Sequence, residues 1–172
     1  MSAVITAIAN QKGGVAKTTT CVNLGIGLAQ EGKKVLVVDF DPQASLTNCL
    51  GHRRPDDLTT TIASIMSKEI LGQEILPGEG VLHHDEGIDL LPSNIALSAM
   101  EVSLVNIMAR EKMLKRVLTH YQRDYDCILI DCSPSLNQLT VNALAAADRV
   151  LIPVKPEHLS ALGIQLLMKS IR

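Results

Sequence analysis

Two lysines bracket a glycine pair in the run Lys12-Gly13-Gly14-Val15-Ala16-Lys17-Thr18. An apolar stretch at 4–9 leads into it, and a helix-like stretch at 18–30 leads out. A strand feeding a glycine turn feeding a helix binds phosphate. The backbone N–H groups of the turn and the unpaired donors at the helix start converge on one anion. Lys17 adds a point charge for the terminal phosphates, and the Thr18 hydroxyl can ligate Mg²⁺. The run departs from the ordinary phosphate loop, G-x-x-x-x-G-K-[ST]. Counted back from Lys17, the two glycine positions of that pattern hold Gln11 and Ala16. What stands instead is K-G-G-x-x-K-T, with a second lysine, Lys12, at the front of the loop. Glycine clusters alone usually mark a turn. Two lysines around them at a strand-to-helix junction mark a nucleotide site. The Cβ of Ala16 implies that this residue avoids positive φ.

Carboxylates gather on the same edge. The second apolar run ends in Asp39-Phe40-Asp41-Pro42-Gln43, and the fourth in Asp131-Cys132-Ser133-Pro134-Ser135. Asp39, Asp41 and Asp131 thus each end a predicted strand where Mg²⁺ and a γ-phosphate would lie. A single Asp at such a place usually serves a turn or a helix cap. Beside the loop, the set points to a metal–nucleotide site.

The elements that must position these groups are written in the hydrophobic pattern. Five short apolar runs, 4–9, 35–40, 88–91, 127–131 and 150–154, are near-continuous rather than alternating. That is the signature of parallel strands covered on both faces. In 94–108, Leu97, Met100, Leu104 and Ile107 share a face at three- and four-residue steps, the helical spacing. The stretch 111–121 repeats it with Met113, Leu114, Val117 and Leu118, and 136–147 and 159–171 are further candidates. Strands alternating with helices predict an α/β fold of the P-loop NTPase type. Its sheet is doubly wound and mostly parallel, with helices on both faces and right-handed crossovers. Ligands on such a sheet sit at the carboxyl ends of the strands. Residues 51–87 are the least regular part, with Pro55, Pro77, Gly78 and Gly80 around one short predicted helix at 60–69. No repeat or low-complexity segment divides the chain, so one domain over 1–172 is expected.

Composition narrows the function. The 172 residues are 47% hydrophobic and 20% charged, which suits a single globular core. A formal net charge of −2 gives no bias towards nucleic acid or anionic membranes. The only aromatics, Phe40, Tyr121 and Tyr125, argue against base stacking. Cys21, Cys49, Cys127 and Cys132 form no C-x-x-C pair and are expected as reduced structural filler. Residues 1–9 lack the basic region and long apolar core of a secretory leader, and no apolar run spans a bilayer. A cytoplasmic location without a membrane partner is therefore expected. The apolar stretch 159–172, with Lys169 and Arg172 as its basic residues, reads as a core helix rather than a membrane anchor. His83-His84-Asp85-Glu86 invites a metal reading. Adjacent side chains point apart in an extended segment, however, and no second cluster completes a shell, so a solvated loop is expected there.

The runs from Asn10 to Thr20, from Val37 to Gln43 and from Ile128 to Cys132 resemble, in order and spacing, the ParA/Soj branch of deviant Walker A ATPases. Leu91-Pro92-Ser93-Asn94 and Val141-Asn142-Ala143-Leu144 add to the likeness, which covers essentially the whole chain. The resemblance implies an ATP hydrolase that uses ATP and Mg²⁺, forms a homodimer on binding ATP, and partitions chromosome or plasmid DNA. It implies a ParB-like centromere-binding partner and non-specific DNA as a track, with nucleoid association where DNA binding is retained. It also implies that Lys12, Gly13, Gly14, Val15, Ala16, Lys17, Thr18 and Thr19 hold the nucleotide. Lys17 would bind the β- and γ-phosphates. Lys12 would reach the partner subunit's nucleotide with the charge that an arginine finger supplies elsewhere. Asp41 would position the attacking water, and Lys12, Lys17 and Asp41 form the implied catalytic set. Thr18 would ligate Mg²⁺, with Asp39 and Asp131 holding it through its water shell. Two positions depart from the family pattern, Ala16 in place of the usual Gly and Ser133 in place of the usual Pro. ParA-like domains normally continue through strand–helix units that hold the adenine and supply basic residues for DNA. With its last residue, Arg172, in a predicted helix, the chain is expected to lack those units.

Three other readings share this loop. A positioning switch resembling MinD would need a C-terminal amphipathic anchor. A carrier resembling the nitrogenase iron protein would need cysteines exposed at a dimer face. A nucleotide-binding relic would bind ATP without turnover.

Overall fold

The computed structural model describes residues 2–105 and 107–155; the predicted helix at 159–171 lies outside them. Strand β1 (Val4–Ile8) feeds the glycine loop and helix α1 (Lys17–Gln30), and β2 (Val35–Phe40) feeds the short α2 (Ser45–Cys49). Helix α3 (Ile62–Leu71) precedes two short strands, β3 (Leu82–His83) and β4 (Asp89–Leu91). Then follow α4 (Ala96–Leu104), α5 (Met113–Thr119), β5 (Cys127–Cys132), α6 (Gln138–Ala146) and β6 (Arg149–Leu151). The strands form one sheet in the order β3-β4-β2-β5-β1-β6. Every pairing is parallel except β3 with β4. This is the mostly parallel α/β architecture expected from the alternation of runs.

Side chains alternate across a strand, and the two cores follow that alternation. Leu36, Val38 and Phe40 of β2, with Ile128, Ile130 and Cys132 of β5, face a large core closed by α3, α4, α5 and α6. Val35, Val37 and Leu129 face a smaller core beneath α1 and α2. Full burial of each such aliphatic side chain contributes roughly 1.5–3 kcal/mol. Helix α1 lies close on the sheet because Gly25 has no Cβ; one built there would stand 3.1 Å from Cγ1 of Val37. By the same alternation Asp39 and Asp131 fall on the smaller face, and the β2–β5 register sets them opposite each other.

Several local expectations give way. His83 pairs in β3, with its Nδ1 2.5 Å from Oδ1 of Asp89, but it stays exposed and residues 84–86 form the expected solvated turn. A two-residue strand is too short to show a period. Helix α2 is hidden for the same reason, since five residues make little more than one turn. It turns Leu46 inwards and leaves Cys49 exposed, so Cys49 is not core filler, whereas Cys21 and Cys132 are buried and Cys127 is half-buried. The helix predicted at 60–69 starts later, at Ile62. Thr61 and Ser64 form a reciprocal capping box there, and Gly72 closes the other end at φ 64°.

Candidate nucleotide site

The loop after β1 is anchored from both sides. Asn10 donates from Nδ2 to the Pro153 carbonyl at 2.8 Å, and its Oδ1 accepts the Lys12 N–H at 3.0 Å. Gly14 takes φ 67°, where a side chain would be strained. Ala16 takes φ 65° and ψ 33°, which corrects the expectation that it avoids positive φ. That conformation costs an L-residue about 1–2 kcal/mol. It is held by Thr20, whose N–H and hydroxyl both donate to the Ala16 carbonyl, at 2.8 and 2.7 Å. Lys17, only 8% exposed, donates from Nζ to the Lys12 carbonyl at 3.3 Å. Burial pulls its ammonium below the usual lysine range, against the opposing pull of Asp131 and Asp41.

The carboxylates differ in how they are used. The Thr18 hydroxyl donates to Oδ2 of Asp131 at 2.6 Å. Oδ1 of Asp131 is buried with no hydrogen-bond partner among the described residues. Burial pushes Asp131 up to about 7, helped by the charges of Asp39 and Asp41 and opposed by Thr18 and Lys17. Asp39 is wholly buried, and both of its oxygens accept hydrogen bonds. Its Oδ2 accepts the Thr47 N–H at 2.8 Å and the Thr47 hydroxyl at 2.7 Å, and its Oδ1 accepts the Asp41 N–H at 3.2 Å. Burial pushes Asp39 up to about 6 despite those bonds. Asp41 is half-buried, and its Oδ1 accepts the Gln43 N–H at 2.9 Å.

Gly13, Gly14, Ala16, Lys17, Thr18, Thr19 and Asp41 meet around a cavity of about 290 Å³, together with Ser45, Cys132 and Pro134. Val15 is buried beneath the loop, and Lys12 stands at its front, half-buried. Asp131 lies behind Thr18 and Asp39 behind Thr47, so neither carboxylate lines the cavity itself. Wider clefts of about 580 and 610 Å³ open by Arg123 and along the apolar flank of α1; neither is lined by the glycine loop. Sequence reasoning overlooked Ser45 and Thr47, because both belong to the unread helix α2. Asn10 had a legible signal of its own, since an Asn next to a glycine turn commonly anchors a loop.

The donor set suits a hydrated cation. The Thr18 hydroxyl sends its hydrogen to Asp131 and keeps its oxygen lone pairs, and the unpartnered Asp131 oxygen can accept from a water. Mg²⁺ bound by few protein oxygens keeps several waters of its own.

Known proteins resemble this chain over nearly its whole length. The chain matches the AAA domain family over residues 3–172. It is 44% identical over 168 residues to the sporulation initiation inhibitor protein Soj of Bacillus subtilis, across 98% of this chain and 64% of that protein. With the chromosome-partitioning ATPase Soj of Treponema pallidum the identity is 40% over 163 residues, across 95% of this chain and 61% of the other. The chain thus spans less than two thirds of the length of these relatives. Cobyrinic acid a,c-diamide synthase of Mycobacterium smegmatis, solved with a bound ATP analogue and magnesium, superposes with a TM-score of 0.90 at 42% identity. That match covers 98% of this chain and 67% of the mycobacterial one. Among the described residues, no helix is long and apolar enough to cross a membrane.

Proposed function

Because the chain belongs to the AAA domain family, in its ParA/Soj branch, we propose that it is an Mg²⁺-dependent ATPase of DNA partitioning. It would switch between a monomer and an ATP-bound dimer and act on chromosome or plasmid DNA in the cytoplasm. A ParB-like centromere-binding protein would stimulate turnover, and non-specific DNA would serve as the track.

The observation that carries this reading is the buried Lys17 under the loop, next to a Thr18 whose hydroxyl is already oriented by Asp131. The triphosphate would lie against the N–H groups from Gly13 to Thr19. Lys17 would leave the Lys12 carbonyl and turn its Nζ to the terminal phosphates. Thr18 and Asp131 would hold Mg²⁺, which when bound neutralises charge on the β- and γ-oxygens. Asp39 was expected to share that shell, but its oxygens are engaged by Thr47 and Asp41, so the shell is assigned to Thr18 and Asp131. Asp41 would orient the attacking water. Phosphoryl transfer asks mainly for positioning and charge stabilisation. Two triphosphates approaching at a subunit face repel each other, and Lys12 from each subunit would supply the compensating cation.

ATP binding and turnover by variants test this reading. Lys17→Ala should abolish ATP binding. Asp41→Ala should keep binding but lose about 10²-fold in turnover, the scale of lost positioning. Mixing Lys12→Ala with Asp41→Ala subunits should restore part of the activity. In the mixed dimer, one site has an intact Asp41 and receives the partner's Lys12. Mixing that restores nothing while both variants bind ATP removes the trans role. Turnover driven by cobyrinic acid and indifferent to DNA would instead favour the amidation named for the mycobacterial protein.

A further inference from the structure

The segment that carries Asp41 is gripped from below. Asp39 takes the Asp41 N–H on one oxygen, and the Thr47 N–H and hydroxyl on the other. The Thr47 hydroxyl has one hydrogen, given to Asp39, and it accepts the Ser93 N–H at 3.0 Å from the loop after β4. A continuous chain therefore runs from Ser93 through Thr47 and Asp39 to the amide of Asp41. All three side chains are buried. A buried carboxylate is expensive in free energy, and an apolar side chain could pack α2 without that penalty. What the carboxylate adds is two oxygens that hold a helix and the Asp41 amide at once.

We propose that Asp39 is a positioning residue for hydrolysis: through Thr47 it clamps the Asp41 loop to α2, and so sets where the Asp41 carboxylate stands at the cavity. Asp39 then serves the reaction without touching the ion or the nucleotide. The inference rests on the reading of Asp41 as the water-positioning group. Misplacement of a reacting group by about 1 Å can lower a rate roughly 10²-fold, so a loosened clamp is visible in turnover before it is visible in binding.

Thr47→Val keeps the shape of the side chain and removes the hydroxyl, and Thr47→Ser restores the hydroxyl. In the full chain, Thr47→Val should lower kcat by about 10- to 100-fold. ATP affinity and the Mg²⁺ needed for half-activity should hardly move, and Thr47→Ser should recover most of the rate. The double variant Asp41→Ala/Thr47→Val should be no slower than Asp41→Ala alone, because both changes act through one group. Amide hydrogen exchange should show the Asp41 N–H protected in the wild type and faster in Thr47→Val. Wild-type kcat in Thr47→Val, a raised Mg²⁺ requirement, or a loss that adds in full to that of Asp41→Ala overturns the proposal. If Asp41→Ala turns over normally, or the wild type does not turn over, it is the reading of the site that fails. The clamp is then judged on exchange alone, and an unchanged Asp41 N–H in Thr47→Val refutes it.

Discussion

Asp39 and Asp131 occupy matching places. Each is the penultimate residue of a central parallel strand, and they are register partners on the same face of the sheet. Asp39 accepts three hydrogen bonds and has no unused oxygen, whereas Asp131 accepts one and keeps a buried oxygen without a partner among the described residues. The difference arises in the chain that follows each strand. After β2 the turn at 41–44 leads into α2, which returns the N–H and hydroxyl of Thr47 to Asp39. After β5 a turn of similar length, 133–137, leads into α6, but its cap, Asn137, is spent on Thr140 and Glu101. Asp131 is left with Thr18 from the phosphate loop. One carboxylate is thereby committed to the scaffold and the other kept available to a cation.

The same substitution should break the two sites in opposite directions. Asp39→Asn places an amide N–H₂ against at least one buried donor, and should destabilise the ligand-free chain by about 2 kcal/mol. Asp131→Asn keeps an acceptor for Thr18 and removes a buried charge, and should stabilise it by about 1 kcal/mol near pH 8. Denaturant melts of both variants measure the contrast, and equal signs would erase it.

Changing the pH should sharpen it next. Both folded-state values lie above the ordinary Asp value of 3.8, Asp39 at about 6 and Asp131 at about 7. Between the ordinary value and these, the folded chain binds more protons than the unfolded one. Their contribution to stability is therefore greatest at low pH and is lost as the pH rises to about 7. The ligand-free protein should melt several degrees higher at about pH 5 than at about pH 8. Asp131→Asn should remove the larger part of that slope, and a slope unchanged in the variant would contradict the assignment of the higher value to Asp131.

The smallest effect compares the loops that leave β1 and β2. Both end in a left-handed alanine before a helix, Ala16 at φ 65° and Ala44 at φ 52°. Ala16 is exposed and Ala44 is buried. Ala16→Gly should stabilise by up to about 1 kcal/mol by relieving backbone strain. Ala44→Gly should gain little, because it also gives up the burial of a methyl group. Thermal melts of the two variants decide it.

Much of this arrangement could be read from residues alone. The parallel strands were legible because β2 and β5 are continuous apolar runs, and the loop because lysines bracket its glycines. Asp39 and Asp131 looked equivalent for the same reason, since each ends such a run. What separates them is Thr47, eight residues beyond Asp39, in a helix of about one turn that carries no periodic signal. Ala16 misled in another way. A left-handed alanine is disfavoured in isolation, and two bonds from Thr20 to its carbonyl hold it. His83 escaped because a two-residue antiparallel pairing is specified by its neighbour β4, not by its own pattern.

Magnesium dependence of ATP binding probes the division between the two carboxylates most directly. A fluorescent ATP analogue would be titrated against wild type, Asp39→Asn and Asp131→Asn over a range of Mg²⁺ concentrations. Asp131→Asn should raise the Mg²⁺ needed for half-maximal binding by about tenfold or more, the usual scale for losing a partner of a metal's shell. Asp39→Asn should leave it within about twofold of wild type, since Asp39 contributes no shell partner. A requirement raised by Asp39→Asn and unchanged by Asp131→Asn would contradict the account.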